Sequence, residues 1–243
     1  VKLTTTAHSG VFFFPFFYSA SREKQGKAFL FVREHRGERM AFSEFKTIAE
    51  VQERYKIAYK EDVFIPERDA LPSVVFMEDF EFNKKNIDIF TSEASRSEVV
   101  ISPLLREMYK KYCEKYSFWI QKSISFDEVL TGTPDYIFSK KSSLGKTVLE
   151  VPLVIVVEAK RNDFEQGWGQ CLAELVAAQK MNENAERPVY GVVTDGNLWQ
   201  FGCLRGKIFT RDTGNFTIDH LGRLYGALDF LAELAGQDEA CEA

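Results

Sequence analysis

Histidine is scarce in this chain: only His8, His35 and His220 occur among 243 residues. Cysteine is little commoner, and Cys113, Cys171, Cys203 and Cys241 include no C-x-x-C pair. These two shortages exclude the usual zinc ligand sets. Scattered thiols also suit a reducing, cytoplasmic setting better than a disulfide framework. No apolar run approaches the roughly 20 residues that span a bilayer, so no membrane partner is expected. Basic charge is not in excess either, since 31 Lys and Arg stand against 36 Asp and Glu for a net charge of −5. Coat-type nucleic-acid binders are basic overall, which excludes that class. An enzyme that meets nucleic acid through a local basic groove remains compatible, because the field that matters is local. No internal repeat or low-complexity tract is visible.

What the chain does have is apolar mass. It is 45% hydrophobic and carries 22 Phe, which excludes a disordered chain. The run VFFFPFFY at Val11–Tyr18 faintly resembles a signal peptide, but Pro15 interrupts it and the basic region before it is weak. Residues 36–39 can be spelled by almost purely purine codons, as a ribosome-binding site is, and Met40 follows directly. Residues 1–39 are therefore expected to be a non-native or poorly ordered extension. One domain is expected over 40–235, followed by a disordered tail at 236–243.

Phe42, Phe45, Ile48, Val51 and Tyr55 recur at helical spacing and predict a helix over Ala41–Tyr55 with Ser43 as N-cap. Residues 60–90 read as extended connections with one short strand near Val74–Met77. A second helix is expected over Ser92–Tyr116, broken or kinked near Ser102 by Pro103. Strands are expected at Phe118–Ile124, Glu128–Thr131, Asp135–Ser139 and Leu153–Glu158, then a helix capped by Asp163 and running to Met181. Val189–Thr194, Leu198–Leu204 and Lys207–Thr210 read as hairpin-linked strands, the first turn being Asp195-Gly196-Asn197. Trp199 and Phe201 read as sheet packing. Asp219 is expected to cap a last helix. This order predicts an α/β fold with a mixed β-sheet flanked by helices.

The chemistry concentrates at two strand ends. Side chains alternate along a strand, so Glu158 and Lys160 share one face at the end of the apolar run Leu153–Val157. If the Asp135 strand pairs antiparallel with that run across the turn at 140–146, Asp135 comes beside Glu158. Two carboxylates at one spot repel unless they share a cation. Oxygen donors of this kind, with the backbone carbonyl of Ala159, suit Mg²⁺ or Mn²⁺. Lys160 would then orient water or neutralise charge developing at phosphorus.

Thr133-Pro134-Asp135, followed after 22 intervening residues by Glu158-Ala159-Lys160, resembles the PD-(D/E)xK nuclease superfamily. The resemblance covers about 98–210 and implies a restriction endonuclease-like fold and Mg²⁺-dependent hydrolysis of DNA. It also implies a Gln on the helix after the motif strand, which Gln170 supplies, and a Glu from the first helix. Glu98 is the best match for that Glu, with Glu93 and Glu107 as competitors, and would complete the metal shell. The stretch around Glu98 and the hairpin at 192–201 are similar to segments of type I restriction-subunit-like proteins. A protein partner in a restriction or defence system is therefore expected alongside DNA. Some branches carry Tyr four residues after the Gln; here that residue is Glu174, so the exonuclease-like branch is not matched. Arg161, Lys140 and Lys141 are candidate phosphate contacts. A non-catalytic nucleic-acid-binding or scaffolding module retaining the fold is the alternative.

Overall fold

In the computed structural model, residues 41–160 and 163–237 are described. The expectations for 1–39 and for most of the C-terminal tail lie outside them, as does Arg161. Helix α1 (Ile48–Tyr55) is followed by strand β1 (Ala58–Asp62), then α2 (Val74–Asn86) and α3 (Glu93–Arg96). A π-helical turn over Ser97–Ile101 joins α3 to α4 (Ser102–Tyr112). Strands β2 (Tyr116–Ile120), β3 (Ile124–Ser125), β4 (Thr131–Gly132), β5 (Tyr136–Lys140) and β6 (Leu153–Ala159) come next. Helix α5 (Phe164–Met181) crosses to β7 (Val189–Thr194), followed by β8 (Leu198–Arg205), β9 (Ile208–Asp212), β10 (Phe216–Thr217) and α6 (Leu221–Gln237).

The main sheet runs β1-β9-β8-β7-β6-β5-β2, with β10 alongside β8. β6–β7 and β1–β9 are parallel, whereas β5–β6, β2–β5, β7–β8 and β8–β9 are antiparallel. The α/β class with a mixed, helix-flanked sheet is as expected. A parallel pair needs a crossover, and α5 provides it between β6 and β7. One face of the sheet packs on α4 and α6 through Leu104, Leu105, Met108, Leu228 and Leu231. The other packs on α5 and α1 through Leu172, Leu175, Val176 and Val51. Covered on both faces, β6 is buried at all seven positions, which is why its sequence is a continuous apolar run rather than an alternation. Trp199 and Phe201 are buried in the sheet as packing residues. Among the described residues no helix is long and apolar enough to cross a membrane.

Several element boundaries differ from the sequence expectations. Val74–Met77 opens α2 rather than forming a strand. Ser73 caps that helix by accepting from Phe76 N, and Phe76 and Phe80, one turn apart, stack 5.9 Å apart against the core. The pair at i, i+4 outweighs the strand preference of Val74 and Val75, which stay exposed. The first helix starts at Ile48 with Thr47 as its cap, because Phe42–Glu44 is a separate 3₁₀ turn. The expected interruption near Ser102 is a π turn: it ends at Ile101, lets Ser102 N–H donate to Ser97 O, and leaves Pro103 in the first turn of α4. Asp219 sits inside a 3₁₀ turn at Ile218–His220 rather than capping α6. β1 is fully exposed along its length and shows no alternation from which to read it. Helix α6 continues to Gln237, two residues past the expected domain end.

A buried acid fastens α6 to its neighbours. Asp229 accepts from the Tyr112 hydroxyl at 2.9 Å and pairs with Arg68 Nη2 at 3.1 Å and with Lys111 Nζ. Removing it takes the carboxylate from Lys111 and leaves the buried Tyr112 hydroxyl only the Asp229 main-chain oxygen, while Arg68 keeps Glu233. Asp229→Ala is expected to cost about 2–4 kcal/mol, measured as a lower urea midpoint at unchanged m-value.

Candidate active site

The antiparallel register pairs Tyr136 with Val157, so the residue before β5 lies opposite the residue after Val157. Asp135 and Glu158 therefore meet at one end of the sheet. The contact is direct on the backbone side, since Asp135 Oδ2 accepts from Ala159 N at 2.8 Å. Lys160, on the same face as Glu158, places Nζ 2.6 Å from Glu158 Oε1. Helix α5 closes this face. Gln170 Nε2 donates to Glu174 Oε1 at 3.1 Å, and the Glu174 carboxyl lies against that of Glu158. Glu158, Gln170 and Glu174 are all buried, at 1%, 7% and 0% exposure.

Two glycines let α5 come this close. A Cβ at Gly167 would stand 2.8 Å from Val193 Cγ1 and 3.2 Å from Lys160 Cγ. A Cβ at Gly169, on the opposite flank, would stand 2.6 Å from Thr47 N. The helix is thus wedged between the Lys160 strand end and the entry to α1.

Electrostatics follow from burial. Burial raises the Asp135 pKa, opposed by the Ala159 N–H and by Lys160. Glu158 is pushed up to about 8, by burial first and then by the Asp135 charge, against the pull of Lys160. Glu174 is raised well above the carboxylate range by burial and by Glu158. Burial alone would lower Lys160, but the charges of Glu158, Asp135 and Glu93 outweigh it and hold the ammonium form. Three carboxyl groups thus face one ammonium. Glu158 Oε2, Glu174 Oε2 and Gln170 Oε1 are buried without a hydrogen-bond donor. With both carboxyls raised, a proton shared between Glu158 and Glu174 relieves part of this crowding of oxygens. Among the described residues no three His, Cys, Asp or Glu side chains group closely enough to hold a metal.

Not every expected residue joins this cluster. Glu98 lies where its charge acts on the Tyr136 phenol, whereas the Glu93 charge is felt at both Asp135 and Lys160. Both acids of this helical segment thus lie within electrostatic reach of the Asp135 strand entry. Glu107 is occupied elsewhere, accepting from Ser73 N and Lys110 Nζ. Lys140 and Lys141 are at the wrong end of β5: Lys140 pairs with Tyr116, and Lys141 Nζ contacts Glu114 Oε2 at 3.0 Å. At about 3.3 Å per residue along the strand they lie roughly 16–20 Å from Asp135. Glu174 enters the sequence reading only as the residue at the Tyr position; its i, i+4 spacing from Gln170 is the signal for its place here, and its burial against Glu158 is what the sequence does not show. Gln121 was unmarked in the sequence. It holds φ at +47° and donates its N–H to Asp135 O at 2.8 Å, which fixes the strand entry that carries Asp135.

No family model matches the chain, and no curated protein does. Among solved structures it is similar to a chain of the DrdV–DNA complex determined by cryo-electron microscopy, at 13% identity and a TM-score of 0.37. The match covers 66% of this chain and spans only 14% of that one.

Proposed function

We propose that this chain is a metal-dependent nuclease of the PD-(D/E)xK superfamily, hydrolysing phosphodiester bonds in DNA. The observation that carries the reading is the meeting of Asp135, Glu158 and Lys160 at adjacent strand ends, with buried acceptor oxygens left over. Asp135, Glu158 and the Ala159 carbonyl would hold Mg²⁺ or Mn²⁺, with Glu98, or Glu93 on the same helical segment, as the nearby helix acid. When bound, such an ion activates water and offsets negative charge on the phosphate. Lys160, kept charged by its carboxylate neighbours, stabilises charge that builds on the phosphoryl oxygens. Gln170, fixed by Glu174, offers a polar group from α5 for positioning water or substrate. A protein partner that delivers DNA is part of the same proposal.

The test is cleavage of duplex, single-stranded and branched DNA with Mg²⁺ and with Mn²⁺. Asp135→Asn is expected to bring cleavage to background, and Lys160→Ala to slow it about 10²–10³-fold, with circular dichroism unchanged in both. Cleavage at the wild-type rate in both variants would sink the reading and leave a non-catalytic module that keeps the fold.

A further inference from the structure

A second concavity lies on the other flank of α5, between that helix, the start of α1 and the edge strand β1. It encloses about 400 Å³ and is lined by Gln52, Tyr59, Phe164, Glu165, Trp168 and Arg211, among others. Its volume falls in the range of small-molecule sites. Phe164 follows Lys160 by four residues, so the cleft and the carboxylate pair are linked by one short stretch of chain.

The cationic group in this cleft is held in place. Arg211 Cζ lies 5.7 Å from the Trp168 ring centroid. Its Nη2 donates to Gln200 Oε1 at 2.7 Å, and the same oxygen accepts from Trp168 Nε1 at 2.8 Å. The guanidinium plane is therefore oriented before any ligand arrives, which lowers the ordering cost of binding. Tyr59 is pinned too: its hydroxyl donates to Glu61 Oε1 at 2.6 Å, and its ring lies 6.2 Å from that of Phe209. Yet Tyr59 is 40% exposed, so part of its ring is open to a planar partner. Gln52 spends its amide N–H on Ile57 O at 3.0 Å, leaving its carbonyl as the end available to a ligand. Glu165 adds a carboxylate from the first turn of α5.

We propose that this cleft is a nucleobase pocket that takes a purine, guanine before adenine. Aromatic rings accept the face of any base. A guanidinium matches the O6 and N7 acceptors of guanine, and the adenine amino group would oppose it. The Glu165 carboxylate and the Gln52 carbonyl accept from the guanine N1–H and 2-amino group. A pyrimidine fills less of the space and lacks the N7 acceptor. Assigning the bound base to a nucleotide beside the scissile phosphate rests on the nuclease reading; the pocket itself does not.

Calorimetric titration of the whole chain in chelator, with 5′-GMP, 5′-AMP, 5′-CMP and inorganic phosphate, decides it. GMP is expected to bind at sub-millimolar concentration and at least five-fold more tightly than AMP or CMP, with no heat from phosphate. Tyr59→Ala and Arg211→Lys are each expected to weaken GMP about ten-fold, and Asp135→Asn to leave it unchanged. Because Tyr59 lies on an exposed edge strand, its variant keeps the test valid should the Arg211 variant fold poorly. No GMP binding at 5 mM, equal binding of phosphate, or unchanged GMP affinity in Tyr59→Ala would each overturn the pocket. Loss of cleavage in Asp135→Asn with GMP binding intact separates the fate of this proposal from that of the nuclease reading.

Discussion

Glu158→Gln is expected to abolish Mg²⁺-dependent cleavage and, in chelator, to make the protein more stable than wild type. Both effects come from the same burial. Glu158 is 1% exposed, beside Asp135 and against Glu174, with Lys160 as its cationic partner among the described residues. Without a cation its charge is held at a cost, whereas the amide keeps the shape and can still accept from Lys160. Relief of a buried, under-compensated charge is worth about 1–2 kcal/mol, or roughly 3–6 °C in unfolding temperature for a domain of this size. The pH dependence has a definite sign. The folded-state pKa of Glu158 is raised from 4.5 to about 8, so the folded chain keeps a proton that the unfolded chain has released. Wild-type stability in chelator should therefore be full below about pH 4.5 from this group and decline as pH rises toward about 8. In Glu158→Gln that decline should be shallower. Saturating Mn²⁺ should reverse the order, stabilising wild type and leaving the variant unmoved. Thermal melts across pH with and without Mn²⁺ measure all of this. A variant that is less stable than wild type in chelator, or that still cuts, contradicts the account.

Gly169→Ala is expected to destabilise the fold by about 2–4 kcal/mol, against the usual trend for a helix interior. There, Ala in place of Gly ordinarily gains about 0.5–1 kcal/mol. Here the added Cβ meets backbone rather than side chain: Thr47 N at 2.6 Å, Lys46 C at 2.8 Å and Phe45 O at 3.0 Å. Backbone cannot turn aside as a rotamer can. Either the entry to α1 lifts off α5 or α5 shifts toward the sheet, and Phe45, buried at 2% exposure, loses packing in the first case. Urea unfolding followed by tryptophan fluorescence gives the number; a gain in stability would show that the contact relaxes freely.

The meeting of Asp135 and Glu158 was legible in the sequence because strand geometry is local. Alternation put Glu158 and Lys160 on one face, and the short link to the Asp135 strand forced an antiparallel partner with Asp135 at the matching end. The residues that were misplaced depend on how elements dock. Lys140 and Lys141 adjoin the motif in sequence, but a strand carries them to its far end. Glu93 and Glu98 lie on one helical segment, and which of them faces Asp135 is set by the docking of α3 and the π turn, which no pattern in the sequence marks. The strand expected at Val74–Met77 failed because β-branched residues at the start of an amphipathic helix look like a strand until the stacked phenylalanines are paired. Gly167 and Gly169 disfavour a helix start on propensity alone, and the structure supplies what approaches each: a lysine and valine side chain at one, a backbone at the other.

The position of Glu158 on β6 bears on when the site can be lost. Local opening, which frees loops and edges on its own, has little purchase on a strand covered on both faces and paired on both sides. Amide hydrogens of Leu153–Ala159 should therefore exchange only as fast as the whole domain unfolds, while those of the exposed β1 exchange much sooner. The Glu158 carboxylate is thereby tied to the slowest-exchanging part of the molecule. Partial unfolding at the sheet edge would leave the Glu158 end of the site assembled, and a heated or denatured sample should lose it in the same cooperative step as the fold.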